Sequence, residues 1–411
     1  MMSALKYWLW LTHLAGLRNQ TRLLLLRHFG TPESVYFAEP PELALVEGLD
    51  RQQAALLLNR SLDAAERTME RCQMLNIDLL TIQDANYPNR LRNIYDPPCL
   101  LYIRGHLPPL DEEIVISAVG TRKCTPYGVA CAERICYGLA TGGAIVASGL
   151  ARGIDSAAIR GALLGGGVTL GLLGNGIDYV YPRENYGLYE DVAMTGALIS
   201  EYPPGTEPLP GNFPLRNRIL SGVSVGALIV EAPPRSGALI TASRALEQGR
   251  DVFAVPGPID ARTSHGCNRL IQDGASLVID APDILEAYAA RFPDKLKASR
   301  ELPVIVPPPD AAKTAPRTPD TSRGAEPVRE EPEAPLPVVS VADGTVTVEQ
   351  ARILRLMDTR EPVQVDDLID LSGLSTPQVL AELTMLQIQG YVKEHDGKRY
   401  TRSVETRDES E

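Results

Sequence analysis

The chain has no surplus of positive charge: 40 lysines and arginines face 52 aspartates and glutamates, leaving a net charge of −12. That excludes a surface coated in cations for duplex DNA and leaves room only for a local basic cleft on an acidic body. The six cysteines (Cys72, Cys99, Cys124, Cys131, Cys136, Cys267) form no CxxC pair and no zinc-like spacing. They read as reduced, mostly buried thiols of a cytosolic protein. The five histidines are scattered, which speaks against a His-rich metal centre. There is no GxxxxGK[ST], so no P-loop ATPase, and no GxGxxG after a strand, so no standard dinucleotide enzyme. A nucleophile elbow is missing too. Met1–Leu17 superficially resembles a secretory signal. Its apolar run is broken by Thr12 and His13 and continues with helical periodicity into Leu23–Leu26, so it reads as a core helix, with no membrane insertion.

What is present sorts into segments. At 411 residues, 44% of them hydrophobic, two to four domains are expected. Residues 1–75 are helical in pattern. Leu14-Ala15-Gly16-Leu17 precedes a helix ending at His28-Phe29-Gly30, and Val46-Glu47-Gly48-Leu49 precedes a helix from Arg51 to Leu62. These apolar-Gly-apolar turns fit helix-hairpin-helix (SAM-like) units that offer backbone N–H groups to phosphate, or a small bundle with ordinary Gly turns. Arg18, Arg22 and Arg27 belong to the first unit, whereas Glu47 and Asp50 hem the second.

Residues 76–297 read as one α/β domain. An extended connector covers about 80–110. Strands are expected at 114–119, 144–148, 168–173, 197–200, 227–230, 252–255 and 276–279, with helices at 126–140, 184–194, 214–222, 238–248, 267–273 and 282–290. Short, continuous apolar runs alternating with helices predict an extended, doubly wound, Rossmann-like and mostly parallel sheet, covered on both faces. Residues 298–344, with Pro307-Pro308-Pro309, are too poor in apolar side chains to fold and read as a linker. Residues 345–403 suit three helices and a β-hairpin tipped by Asp396-Gly397, a winged helix. Its third helix, beginning after Ser375, carries no Lys or Arg, which favours protein docking over duplex reading. Lys393, Lys398 and Arg399 in the wing leave weak DNA contact open.

Chemistry gathers where strands of the α/β domain end, the place where open sheets bind ligands. Gly120-Thr121-Arg122 follows the first strand, Gly149 to Gly153 with Arg152 the second, and Gly174-Asn175 the third. Ser236, Gly237 and Thr241 follow the strand ending near Glu231, and Phe213-Pro214-Leu215-Arg216-Asn217-Arg218 opens a helix between two strands. Glycine turns at helix starts expose N–H donors, and Arg is the side chain suited to phosphate forks and planar rings. Asp155, in a first helical turn, reads as a cap, and Glu201 is placed to pair with Arg216 or Arg218. No carboxylate here has the partner that a general acid–base pair needs.

These segments resemble the DNA-processing protein A (DprA/Smf) family of bacterial natural transformation. The matching stretches run in family order from Tyr87-Pro88 to Cys267-Asn268. They include Asp96-Pro97-Pro98, Val119-Gly120-Thr121-Arg122, Ser148-Gly149-Leu150-Ala151-Arg152-Gly153-Ile154-Asp155, Tyr181-Pro182-Arg183 and Phe213-Pro214-Leu215-Arg216-Asn217-Arg218. Many members have Ser where Thr121 stands and His where Ile159 stands, so no role is borrowed from that His. The resemblance implies a cytoplasmic, non-enzymatic protein without cofactor that binds single-stranded DNA, dimerises through its α/β domain and loads the RecA recombinase. It also implies DNA contacts at Arg122, Gly149, Gly153, Asn175, Phe213, Arg216, Arg218 and the Ser236–Thr241 loop. A second reading is a nucleotide N-glycosidase similar to the lysine-decarboxylase-like family. That family's Glu after its Gly-rich loop has no counterpart at the matching distance from Thr241.

Overall fold

The computed structural model describes residues 2–296, 338–339, 345–359, 363–395 and 399–406. They fall into two units, Met1–Pro308 and Pro309–Glu411. In the first, short aliphatic runs form a nine-stranded sheet: β1 (Asp78–Thr81), β2 (Leu100–Gly105), β3 (Val115–Val119), β4 (Ile145–Ser148), β5 (Thr169–Leu173), β6 (Ala197–Ser200), β7 (Gly226–Ile229), β8 (Asp251–Ala254) and β9 (Ser276–Leu277). Their order across the sheet is β1-β2-β6-β5-β4-β3-β7-β8-β9. Only β2 runs against the rest, antiparallel to both β1 and β6.

Alternation along each strand feeds two cores, as the period-2 pleat requires. Ile116 and Ala118 of β3 face one layer, with helices Pro126–Thr141 and Ile154–Leu164, while Val115 and Val119 face the other, with Asn212–Gly222 and Gly237–Glu247. Every expected strand is present, β9 in shortened form. The stretch expected as an extended connector is different: it contributes β1 and β2 to the sheet. Pro97-Pro98 leads into β2 without interrupting it; the fully buried Leu100, Leu101 and Tyr102 then pair with β1, and Tyr102 and Ile103 pair with β6 as well.

The N-terminal residues are helical, at Met2–His13, Asn19–Phe29, Pro32–Phe37, Arg51–Leu56 and Asp63–Met74, among others. Trp8, Leu9 and Leu25 join the core of the first layer. The helix expected over 51–62 stops at Leu56. Beyond it, Trp10 Nε1 donates to the Asn59 carbonyl at 2.7 Å and the Tyr36 hydroxyl to that of Arg60 at 2.8 Å, so tertiary donors take those carbonyls. Of the three basic residues of the first unit, Arg18 and Arg22 are engaged internally, while Arg27 is exposed. Arg18 pairs with Asp50 at 2.6 Å, and Arg22 donates to the Leu11 and Thr12 carbonyls that end the first helix.

In the second unit, helices Val348–Arg355, Val365–Ser372 and Thr376–Ile388 pack with a three-stranded sheet of Val363–Gln364, Arg399–Arg402 and Val392–His395. Thr347 and Ser375 cap the first and last of these helices through capping boxes, and Gly373 ends the middle one in the left-handed region at φ +66°. The expected linker, apart from Val338–Val339, and the hairpin tip at Asp396-Gly397 lie outside the described residues. Among the described residues no helix is long and apolar enough to cross a membrane.

Candidate functional site

The chain lays β3 to β6 outward on one side of β3, then returns to start β7 on the other side. This reversal makes the carboxyl ends of β3 and β7 the topological switch point, where open α/β sheets carry a ligand crevice. The turn after β3 is held shut by its backbone. Thr121 N–H donates to the Glu231 carbonyl beyond β7 at 2.7 Å, and Ile154 N–H donates to the Thr121 carbonyl at 3.3 Å. Gly120 packs so closely on Ile154 that a Cβ there would lie 2.6 Å from its side chain. Thr121 is thereby buried and Arg122, next in line, is exposed.

Gly153, which enters helix Ile154–Leu164, has φ +77°, and a Cβ on it would meet the Thr121 carbonyl at 2.4 Å and that of Arg122 at 2.8 Å. Neither backbone atom can yield without moving Arg122. Gly153→Ala is therefore expected to destabilise the domain by about 1–3 kcal/mol, read by chemical unfolding, and to weaken ligand binding beyond what lost stability explains.

A cleft of about 480 Å³ opens at this switch point. One wall is aromatic and cationic: the Arg122 guanidinium lies 5.5 Å from the Phe213 ring centre, and Phe213 packs on Tyr181 at 5.6 Å. The lining also takes in the loop carrying Arg235, Ser236 and Gly237 and the start of helix Gly237–Glu247, as far as Thr241. Ser236 caps that helix, its Oγ accepting from Ala238 N–H at 3.2 Å. The positive end of the helix faces the cleft. Asp155, Arg216 and Asn217 also line it.

Arg216 is 5% exposed and works as a strut. Its Nη1 donates to the Leu172 carbonyl and, at 3.3 Å, to that of Gly149, and its Nε donates to Asn217 Oδ1 at 3.2 Å. Arg216 Nη2 and Asp155 Oδ2 both lie within 2.7 Å of where a Gly149 Cβ would stand, so glycine there lets the pair sit side by side. Burial pulls the Arg216 pKa down against the opposing pull of Asp155. Burial likewise pushes the Asp155 carboxyl up, with Arg216 opposing it.

The cleft thus brings together Gly120, Thr121, Arg122, Phe213, Arg216, Asn217, Ser236, Gly237 and Thr241. Gly149, Gly153 and Gly174 stand behind it as spacers; a Cβ on Gly174 would sit 2.9 Å from the Phe213 ring. Arg152, Asn175 and Arg218 do not reach it. Arg152 forks onto Glu184, with Nη2 to Oε2 at 3.1 Å. The Asn175 amide is spent on the carbonyls of Gly176 and Tyr179 at 3.0 and 2.6 Å. Arg218 is held between Asp96 at 3.0 Å and Glu201 at 2.8 Å, so Glu201 takes Arg218 and not Arg216. Burial works against the Arg218 charge, but the two carboxylates outweigh it and hold the pKa above its ordinary value.

Arg235 and Tyr181 carry weight that sequence reasoning did not give them. Arg235 is exposed on the cleft wall, and among the described residues no carboxylate lies within ion-pair distance of it or of Arg122. A cation immediately before a Ser-Gly helix cap was the legible signal. Tyr181 stood in the Tyr181-Pro182-Arg183 stretch of the resemblance, but its contact with Phe213 spans distant segments and was not legible there.

Comparison with known proteins agrees with this geometry. The family model for DNA recombination-mediator protein A matches residues 78–289, and the DprA winged helix domain matches 330–398. The chain is 34% identical to protein Smf of Synechocystis over 96% of its own length and 98% of that protein's. It is 44% identical to DNA processing protein DprA of Streptococcus pneumoniae over 51% of this chain and 73% of that one. The X-ray structure of DNA processing protein A from Streptococcus pneumoniae superposes with a TM-score of 0.61 at 36% identity, covering 68% of this chain and 97% of that one. A match over the whole sheet, its switch-point turns included, and a near full-length relative place this chain in the DNA recombination-mediator protein A (DprA/Smf) family.

Proposed function

We propose that the switch-point cleft binds the backbone of single-stranded DNA and that the protein passes the strand to the RecA recombinase without turning over a substrate. The observation that carries this reading is that the Arg122–Phe213 stack, Arg235 and a capped helix start line one open cleft. Arg122 and Arg235 supply charge for phosphates, and the N–H groups at the head of helix Gly237–Glu247 supply neutral donors. The guanidinium resting on Phe213 forms a planar platform on which a base of any identity can stack. Binding of this kind is tolerant of sequence, as handling of arbitrary incoming DNA requires.

The remaining parts of the reading follow the family resemblance. A dimer forms through the α/β domain of residues 76–297, the 1–75 helices flank it, and the protein works in the cytoplasm. The winged helix docks a protein: its third helix, TPQVLAELTMLQI, has no cation to offer a duplex. The decisive experiment is a fluorescence anisotropy titration of the full chain with oligo(dT) and with duplex of equal length at fixed salt. The single strand is expected to bind at least about tenfold more tightly, with a log–log salt slope of roughly −2 to −3, for three to four phosphates. Equal or tighter binding of duplex overturns the reading, and release of free base from nucleoside monophosphates would replace it with the glycosidase.

A further inference from the structure

A second arginine cluster lies at the other end of the sheet, beside the segments that lead into β3, β7 and β8. Asn89, Arg90, Asp111, Gln248, Arg250 and Arg291 line a cleft of about 410 Å³ there. Three guanidiniums share it with the Asp111 carboxylate. The nearby Glu113 carboxylate is taken by Lys295 at 2.5 Å.

Structural duty accounts for Arg90 alone. It is 6% exposed, with Nε on Asp111 at 3.4 Å, Nη1 on the Val223 carbonyl at 3.4 Å and Nη2 on that of Glu113 at 3.1 Å. These bonds fix one guanidinium and knit three loops together. Asp111 is fixed too, accepting from the backbone N–H groups of Asn89 at 2.6 Å and Arg90 at 3.1 Å.

Arg250 is half satisfied. Its Nη2 donates to the Arg90 carbonyl at 2.8 Å and to that of Gly222 at 3.4 Å, but its Nε is buried with no hydrogen-bond partner. Gln248 Oε1, on the same lining, is also buried and unpartnered. Arg291 is exposed, lies over Phe292 at 5.1 Å, and has no carboxylate within ion-pair distance among the described residues. A buried guanidinium N–H without a protein acceptor calls for an acceptor from outside, and three guanidiniums on one cleft favour an anionic one.

We propose that the cleft between Arg90, Arg250 and Arg291 is an anion site for a phosphate group, separate from the switch-point cleft. Arg90 and Arg250 are pre-set by backbone carbonyls, so little side-chain freedom is lost when the anion arrives, and exposed Arg291 closes over it. The like charges also act on one another. Burial, with Arg291 and Arg250 adding to it, draws the Arg90 pKa down to about 10. Arg250 is lowered by burial and then by Arg291. A dianion relieves both effects. The phosphate can belong to a nucleic-acid backbone that has travelled round the domain, or to a free small phosphate.

The test uses the full chain carrying Arg122→Ala and Arg235→Ala, so that the exposed cations of the switch-point cleft are absent. Inorganic phosphate is titrated by calorimetry, and Arg291→Gln and Arg250→Gln are added singly. Each is expected to weaken phosphate binding about tenfold, the loss of one charge-assisted pair. Arg291 is exposed, so its variant folds whatever becomes of Arg250→Gln. In the otherwise native chain, oligo(dT) of about six and about thirty nucleotides separates the sources. If the phosphate is a strand's, Arg291→Gln weakens only the longer oligonucleotide. If it is a free phosphate, neither oligonucleotide responds while the calorimetric loss stands. Phosphate affinity unchanged by both substitutions overturns the site.

Discussion

Arg122→Ala is expected to lower affinity for single-stranded oligo(dT) about 10- to 100-fold at fixed salt, with little change in folding. The magnitude is that of one charge-assisted phosphate contact, about 1.5–3 kcal/mol, lost together with part of the stacking platform. The structure explains why folding is spared. Arg122 is exposed and its fixed contact is the Phe213 ring at 5.5 Å, so stability moves by no more than about 1 kcal/mol. Arg152→Ala is the matched control. It is also exposed and directly precedes Gly153, the N-cap of helix Ile154–Leu164, but it is forked onto Glu184 outside the cleft, and its removal should change affinity less than about twofold. Anisotropy titrations of the two variants in parallel check this. Equal responses would show that net charge, and not the cleft, governs binding.

Arg216→Ala is expected to do the opposite, costing about 3–5 kcal/mol of stability and lowering the melting temperature by on the order of 10 °C. Side-chain type alone suggests a phosphate ligand whose loss leaves the fold intact. The structure corrects that expectation: Arg216 is 5% exposed, bonds the Leu172 and Gly149 carbonyls, and sits beside buried Asp155. Truncation takes the Arg216 donor from two carbonyls and the nearby counter-charge from one buried carboxylate. The pH dependence follows in sign. Burial already raises the Asp155 pKa above its ordinary value, with Arg216 as the largest opposing influence. A raised acid contributes stability that is present below its unfolded pKa and is lost as pH rises through its folded one. Without Arg216 the folded pKa rises further, so the variant should recover part of its deficit relative to the parent as pH falls from 7 toward 4. Adding Asp155→Asn should recover part of it at neutral pH, because a neutral amide needs no counter-charge. Urea unfolding across that range measures both effects.

The legibility of the site divides along the same line. The central strands were readable because each is a short apolar run, several of them closed by a Gly-bearing turn, and burial on both faces of the sheet favours that pattern. Gly120, Gly153 and Ser236 were readable because a helix start beside a strand end requires small or capping residues. The two edge strands β1 and β2 were not, since prolines beside an apolar run suit a connector as well as a strand. Neither was the division among the arginines. Arg122, Arg152, Arg216 and Arg218 all stand near strand ends and look alike in sequence. One proves to be open to solvent, one paired at the surface, one a buried strut, and one clamped between Asp96 and Glu201.

By itself the sequence determined the α/β class, the winged helix and the turns able to meet a polyanion, because periodicity, capping and glycine placement are local properties of the chain. Tertiary structure alone decided which cations are free to act. Whether a guanidinium meets a carboxylate, a carbonyl or water depends on segments such as Asp96, Leu172 and Glu201 that reach it only when β2, β5 and β6 come together in one sheet.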